Sequence, residues 1–447
     1  MYSQIHTFEY PNGELQRVQL VRWDSWSRVR FLRPDWSPAV FESFCRVYRS
    51  YLVPGCPWVF GQLVLFSLPQ GAEPEGYAGE YGSVEDAVLR AAMILRRGVK
   101  IRGGKPVFRT TQARKLWTLL EENHCVELVR GKLPFTQIIP IGRAGGYLQD
   151  SLPQAEMKVN ASFFIMDPFD CATAYDQVGT PLGLCLRNGV VENPPLFQRE
   201  ALLVRNDGSV SIEKPRLEDL EIHIGDKKYI PGVNAELYTR PQWKKTPAAG
   251  KQLVIVGCRV AAVCAGRVDV PASGFVLCPR EEATAQAGDA VAYRGMEDYL
   301  FGIQVGNSII RGGEKTLEFI SNFYNIYALE RTPYPPSLYP LDFKAGRAAR
   351  IALGADIEGK PMLLWAEGAG KLRYAPGQDS RGATLEDMAD ICSRLGMHNA
   401  VNLDGGGSAQ ILLQGKRSLR LSDRDPLDNS DSPRPVPMAL AVETETN

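Results

Sequence analysis

Apolar and polar positions change rhythm along the chain, and the changes predict its elements. In "ATLEDMADICSRLGMHNA" the apolar residues Leu385, Met388, Ile391, Cys392 and Leu395 recur every three or four positions, which predicts an amphipathic helix. Thr384 is placed to cap it, Asp387 three residues on completes a capping-box pattern, and Gly396 provides the stop. Ala400 to Leu403 is then a short apolar run of strand length. Asp404, Gly405, Gly406, Gly407 and Ser408 follow, and "AQILL" reads as a further strand. The predicted order is helix, strand, glycine loop, strand.

The same short-run texture extends over residues 136–447. "QLVIVGCRVAAVCAGRVDVPASGFVLCP" (252–279) divides into strand-length pieces rich in valine and small residues. Asn188-Gly189 between apolar runs predicts a hairpin. "TPYPPSLYPLD" (332–342) and "LSDRDPLDNSDSPRPVP" (421–437) read as irregular connections. Residues 1–135 differ in pattern. They hold five of the seven tryptophans and two helical patterns, "SVEDAVLRAAMILRRG" and "TTQARKLWTLLEENH". The expectation is an α+β protein: a β-rich mixed catalytic domain over 136–447 and an N-terminal α+β accessory domain over 1–135.

Composition narrows the function classes. Lysine plus arginine and aspartate plus glutamate balance at 51 each, which argues against a whole-surface device for nucleic acid or anionic membrane. The most apolar window, 51–68, is interrupted by Pro54, Pro57 and Gly61 and is too broken to span a membrane. The first residues carry no basic stretch followed by an apolar one, so no secretory signal is expected. Nine scattered cysteines without a C-x-x-C pair point to reduced thiols and a cytoplasmic setting. No nucleic-acid or membrane partner is expected, and the sequence leaves the oligomeric state open.

The chemistry concentrates around Asp404. The DGGGS run lacks the lysine of a phosphate-binding P-loop and the spacing of a dinucleotide fingerprint. A tight turn with Asp404 capping its own backbone is one reading; clearance for a ligand is the other. Other stretches carry polar residues in apolar surroundings: Asn160 in "KVNASFF", Asn307 and Arg311 in "GNSIIRGGE", Arg350 in "ARIALGAD", and Glu367 in "WAEG". Arg381 precedes the helix, and Arg434 lies in "SPRPVP". The four histidines are isolated and show no zinc-site spacing, so no cofactor is required by the pattern and metal use stays unknown.

This ordered set resembles the phosphodiester glycosidase family, and the resemblance covers about residues 136–443. It rests chiefly on the stretch 400–408 with its preceding helix, supported by "VNASFF" and "GNSIIRGG". It implies hydrolysis of the glycosidic C–O bond of a sugar-1-phosphodiester, with free sugar and a phosphate monoester as products. Asp404, Glu367 and Arg350 are the implied catalytic candidates. Asn160, Asn307, Arg311, Arg381, Asn402, Gly405, Gly406, Gly407, Ser408 and Arg434 are the candidates for holding sugar hydroxyls and phosphate oxygens. Glu367 stands where relatives commonly have aspartate. The family is usually exported, so the missing signal favours a cytosolic tailoring step. A non-catalytic glycan-phosphate-binding module using the same pocket is the competing expectation.

Overall fold

In a computed structural model of the chain, the structure describes residues 1–32, 99–102, 105–109, 114, 148–165, 173, 175–176, 179–197, 199–240, 242–247, 250–281, 283–306, 308–316, 346–369, 374–424 and 428–444. Apart from Arg114, the two helical patterns of the N-terminal region, the apolar window 51–68, the proline-rich stretch 332–342 and Asn307 lie outside these residues.

Strands dominate. In chain order they are β1 (Tyr2–Glu9), β2 (Leu15–Arg22), β3 (Val29–Leu32), β4 (Val99–Arg102), β5 (Lys105–Phe108), β6 (Met157–Asn160), β7 (Cys185–Arg187), β8 (Val190–Asn193) and β9 (Ala201–Arg205). Next come β10 (Val210–Glu213), β11 (Glu221–Ile224), β12 (Lys227–Tyr229), β13 (Ala235–Thr239), β14 (Lys251–Val256), β15 (Arg259–Ala265), β16 (Gly274–Pro279), β17 (Val291–Arg294) and β18 (Tyr299–Gln304). The last are β19 (Ser308–Arg311), β20 (Glu314–Lys315), β21 (Arg350–Ala355), β22 (Pro361–Ala366), β23 (Asn399–Asn402), β24 (Ile411–Leu413) and β25 (Ala439–Val442). The helix before β23 is α1 (Leu385–Arg394).

A seven-stranded sheet in the order β1-β2-β22-β21-β23-β19-β20 carries the candidate chemistry. A four-stranded sheet, β24-β6-β25-β3, lies at the end of the glycine loop. The remaining sheets are β10-β9-β18-β7-β8, β13-β16-β14-β15, β12-β11-β17 and the pair β4-β5. Pairing within these sheets is antiparallel, for example β21 on β22 and on β23. The β-rich expectation therefore holds at that coarse level.

Residues 1–32 do not form a separate unit. β2 pairs with β22 through Val18↔Ala366 and Arg22↔Met362, and β3 pairs with β25. An accessory domain drawn over 1–135 therefore has to exclude these three strands. The reason is packing on both faces: Val18 to Val21 of β2 are all buried, Val18 and Leu20 in one core and Val21 in the other, each shared with the C-terminal strands.

β21 and β22 are buried along their whole length, as their unbroken apolar runs require. One face, with Val18, Leu20, Ala352, Leu364 and Ala400, packs with Met388, Ala389 and Cys392 of α1. The other face, with Val21, Leu353, Trp365, Val401 and Leu403, belongs to the main core. α1 is capped as its sequence predicts: Asp387 N–H donates to Thr384 Oγ1 at 3.0 Å, and Thr384 N–H donates to Asp387 Oδ2 at 2.9 Å. Asn188 and Gly189 take left-handed backbone at the β7–β8 hairpin, with φ of 49° and 74°.

Candidate active site

The glycine loop bridges two sheets. β23 enters it from the seven-stranded sheet, and β24 leaves it in the four-stranded sheet beside β6. On one flank the chain stays bonded to the start of β21: Leu403 N–H donates to Ile351 O at 2.9 Å and Gly406 N–H to Ala349 O at 2.8 Å. On the other flank Asp404 N–H donates to Ala161 O at 3.1 Å. Asn160 closes the crossing. Its Nδ2 donates to Asp404 O at 2.6 Å, and its Oδ1 accepts from Gln410 N–H at 3.0 Å. A buried asparagine in an apolar strand is thus explained by the two backbone groups it pairs.

Each glycine of the loop meets a different constraint. A Cβ at Gly405 would stand 2.7 Å from Ala349 O and 3.6 Å from the Arg350 side chain. Gly406 has φ of +59°, a conformation that favours glycine, with open space around it. A Cβ at Gly407 would stand 2.2 Å from Asp423 Oδ2 and 2.3 Å from Arg434 Nη2. Gly405 and Gly407 therefore lie where a side chain cannot, and Gly406 where only its backbone angle favours glycine. Gly406 to Ser408 close a single 3-10 turn, and Asp404 at its entrance is half-buried.

The cations around this turn are held by protein groups. Arg350 is buried, donating from Nε to Ala383 O at 3.3 Å and from Nη2 to Gly346 O at 2.9 Å. The register Ala352↔Asn402 brings it level with the start of the loop. Arg434 grips Asp423, with Nε and Nη2 at 2.9 and 2.7 Å from Oδ2, and its carbonyl accepts from Gln410 Nε2. Arg381 lies over the Tyr10 ring and pairs with Asp387 at 2.6 Å and Glu14 at 3.5 Å. Arg311 pairs with Glu200 and is exposed.

Glu367 is nearly fully buried at 3% exposure, and both its oxygens are engaged. Oε2 meets Arg17 Nη1 at 3.2 Å and accepts from Ser380 Oγ at 2.5 Å; Oε1 accepts from Arg420 N–H at 2.8 Å. It ties the end of β22 to β2 and to the 419–424 loop. Asn402 and Ser408 are buried under the turn, and Asn402 O accepts from Gly306 N–H at 2.8 Å.

The structure thus gathers Asp404, Arg350, Asn160, Asn402, Gly405, Gly406, Gly407, Ser408 and Arg434 around one turn. It connects Glu367 to that turn through Arg420 and the loop leading to Asp423. Arg381 and Arg311 are engaged elsewhere by carboxylates. Sequence reasoning missed Asp423, the partner of Arg434, because it read 421–437 only as an irregular connection, which assigns no partner to its carboxylates. It also missed Arg17, whose link to Glu367 spans 350 positions. Among the described residues no group of three or more histidine, cysteine, aspartate or glutamate side chains is arranged to hold a metal ion, and no helix is long and apolar enough to cross a membrane.

A profile of the phosphodiester glycosidase family matches residues 153–443. The mouse N-acetylglucosamine-1-phosphodiester alpha-N-acetylglucosaminidase is 35% identical over 95 residues, 21% of this chain and 17% of that protein. The human protein of the same name is 34% identical over 95 residues, with the same shares. The aligned part is therefore about a sixth of the curated relatives' length. Two solved structures are also similar. A hypothetical protein from Synechocystis gives a TM-score of 0.42 at 15% identity, over 98% of this chain and 61% of that one. The zebrafish N-acetylglucosamine-1-phosphodiester alpha-N-acetylglucosaminidase catalytic domain, auto-inhibited by its pro-peptide, gives 0.38 at 13% identity, over 99% and 83%.

Proposed function

The chain belongs to the phosphodiester glycosidase family, and from that premise we propose that it hydrolyses the glycosidic C–O bond of a sugar-1-phosphodiester. The products are the free sugar and a phosphate monoester. The observation that carries this reading is the Asp404 turn. A carboxylate is fixed at the mouth of a glycine turn whose backbone is pinned from both flanks, next to a buried arginine.

The leaving group sets what the residues must do. A phosphate monoester, with a second pKa of about 6, needs little protonation to depart. The demand is for charge stabilisation and for a carboxylate at the anomeric carbon. Asp404 takes the carboxylate role, activating water or attacking carbon directly. Arg350 supplies a fixed positive charge beside Gly405. Asn160 is a positioning residue, since it acts on the Asp404 backbone. Glu367 takes a positioning role too, because its oxygens are committed to Arg17, Ser380 and the Arg420 amide.

We place the enzyme in the cytoplasm, in a tailoring step on a glycosyl-phosphorylated metabolite. Cys185, Cys258, Cys264, Cys278 and Cys392 are free thiols, which supports a reducing compartment. The test is incubation with UDP-N-acetylglucosamine and with a methyl-phospho-sugar, following free sugar. The expected result is release that Asp404→Asn lowers by at least about a thousandfold, the scale of a lost catalytic carboxylate. Unchanged release in that variant removes Asp404 from the chemistry. Sugar binding without release from any diester favours the binding module instead.

A further inference from the structure

Gln410 connects the two ends of the glycine turn. It lies just past the 3-10 turn Gly406–Ser408, is 2% exposed, and has Ala409, Ile411 and Leu412 buried around it. Its backbone pairs with Asn160. Asn160 N–H donates to Gln410 O at 3.4 Å, and Gln410 N–H donates to Asn160 Oδ1 at 3.0 Å. The other end of the same amide, Asn160 Nδ2, donates to Asp404 O at 2.6 Å. A single side chain thus links the Gln410 backbone to the residue at the entrance of the turn.

The Gln410 side chain runs the other way, and its Nε2 donates to Arg434 O at 2.8 Å. Arg434 is flanked by Pro433 and Pro435. Neither proline has an N–H, so neither can donate to a ladder that would fix this stretch. Arg434 is instead held at its carbonyl by Gln410 and at its guanidinium by Asp423, with Nε and Nη2 2.9 and 2.7 Å from Oδ2. Ser432 N–H donates to Asp423 O at 3.0 Å and ties the two ends of the intervening loop together. The ion pair then rests on Gly407, in the space a Cβ would fill.

These bonds form a circuit around the turn, and Gln410 is the residue common to both halves. Close-packed interiors transmit strain, so a joint released at Arg434 is felt at Gly407. Gly406, with open space around it, is where the turn can yield. We propose that Gln410 is a positioning residue for Asp404. Its side-chain donor keeps Arg434 and Asp423 seated on Gly407, and so keeps the turn from shifting the carboxylate at its entrance. The proposal rests on the hydrolase reading for what Asp404 does.

The experiment uses the full chain and three substitutions. Gln410→Met keeps an unbranched side chain and removes the donor. Gln252→Met is the control: Gln252 is buried in β14, in another sheet, and its Nε2 also donates to a carbonyl, that of Gly266. Asp423→Ala removes the seat on Gly407. Urea midpoints verify folding, and both glutamine variants are expected to lose stability. Gln410→Met should lower kcat for the methyl-phospho-sugar about ten- to a hundredfold, the scale of a reacting group displaced by roughly 1 Å, with KM changed less than about twofold. Gln252→Met should leave both within about twofold, because it shares no partner with the turn. In the Asp423→Ala background the Gln410→Met loss should shrink to about threefold or less, because the two act through one contact. A kcat loss in Gln410→Met no larger than in Gln252→Met overturns the proposal, and so does a loss unchanged in the Asp423→Ala background; both leave the hydrolase reading standing. A wild type that releases no sugar fails that reading, and the same cycle is then read from calorimetric binding of the methyl-phospho-sugar. Binding that Gln410→Met weakens, but does not weaken further in the Asp423→Ala background, keeps the positioning role. Binding that is unaffected, or absent in wild type, overturns it.

Discussion

Replacing Gly407 by alanine drives a methyl group into the Asp423–Arg434 ion pair. The new Cβ would stand 2.2 Å from Asp423 Oδ2 and 2.3 Å from Arg434 Nη2. An ordinary contact needs about 3.5 Å, so one or both groups must retreat by roughly 1 Å. The pair is held at 2.9 and 2.7 Å, and a retreat of that size opens both bonds. The two side chains are 19% and 11% exposed, so water replaces the lost partners only in part. Losing a charge-assisted bond costs about 1.5–3 kcal/mol, and overpacking adds about 1–3 kcal/mol. The expected loss of stability is about 3–5 kcal/mol, read from urea midpoints at constant slope. Gly406→Ala is the control. It meets nothing within 4 Å and pays only for its positive φ, about 1–2 kcal/mol. In an Asp423→Ala background the Gly407→Ala cost should shrink, because the obstructing carboxylate is gone. The reasoning is refuted if Gly407→Ala is no more damaging than Gly406→Ala, or if its cost is unchanged in that background.

Asn160→Ala removes the bonds to Asp404 O and Gln410 N–H and leaves a buried amide unpaired. It should cost about 2–4 kcal/mol, with sugar release falling further than the melting temperature alone explains. Glu367→Gln keeps the shape but loses the charge facing Arg17, which is 35% exposed; discounted for that exposure, about 1–2 kcal/mol is expected in denaturant melts. Burial, and then the Glu236 carboxylate, raise the Tyr238 phenol to about 12. Its folded pKa lies above the unfolded value of 10.0, so its contribution is complete below pH 10 and is lost as pH rises toward 12. Ultraviolet phenolate titration beside unfolding midpoints checks this; a Tyr238 that ionises near pH 10 in the folded protein contradicts it.

The parts of the fold written locally were legible. α1 carries its period, its cap and its stop within a dozen residues, and the Asn188-Gly189 hairpin carries its turn in two. The strand pieces of 252–279 appear as β14, β15 and β16. Asn160 and the glycines were legible as unusual residues in apolar runs, although their reasons were not. Gly405 answers to a carbonyl of β21, and Gly407 to an ion pair from another loop. Charged partners were the least legible. Any of several carboxylates could have met Arg381, and pattern says nothing about which one folding delivers. The placement of β1–β3 was hidden for the same reason, since a strand's period reports which face is buried but not which neighbour buries it.

The pairing of β2 with β22 has a consequence for the order in which the molecule is made. Hydrogen bonds such as Gln16 Nε2 to Glu367 O join positions 351 apart. During synthesis, at roughly 5–20 residues per second, the first hairpin waits on the order of tens of seconds for its partner strand. Until then its inner edge is an open template for pairing with other chains. The buried cage around Glu367 is a late event relative to that hairpin, because it joins Arg17 to Arg420, which is made long after it. A nascent chain can therefore hold most of its strands while the scaffold behind its glycine turn is still unbuilt.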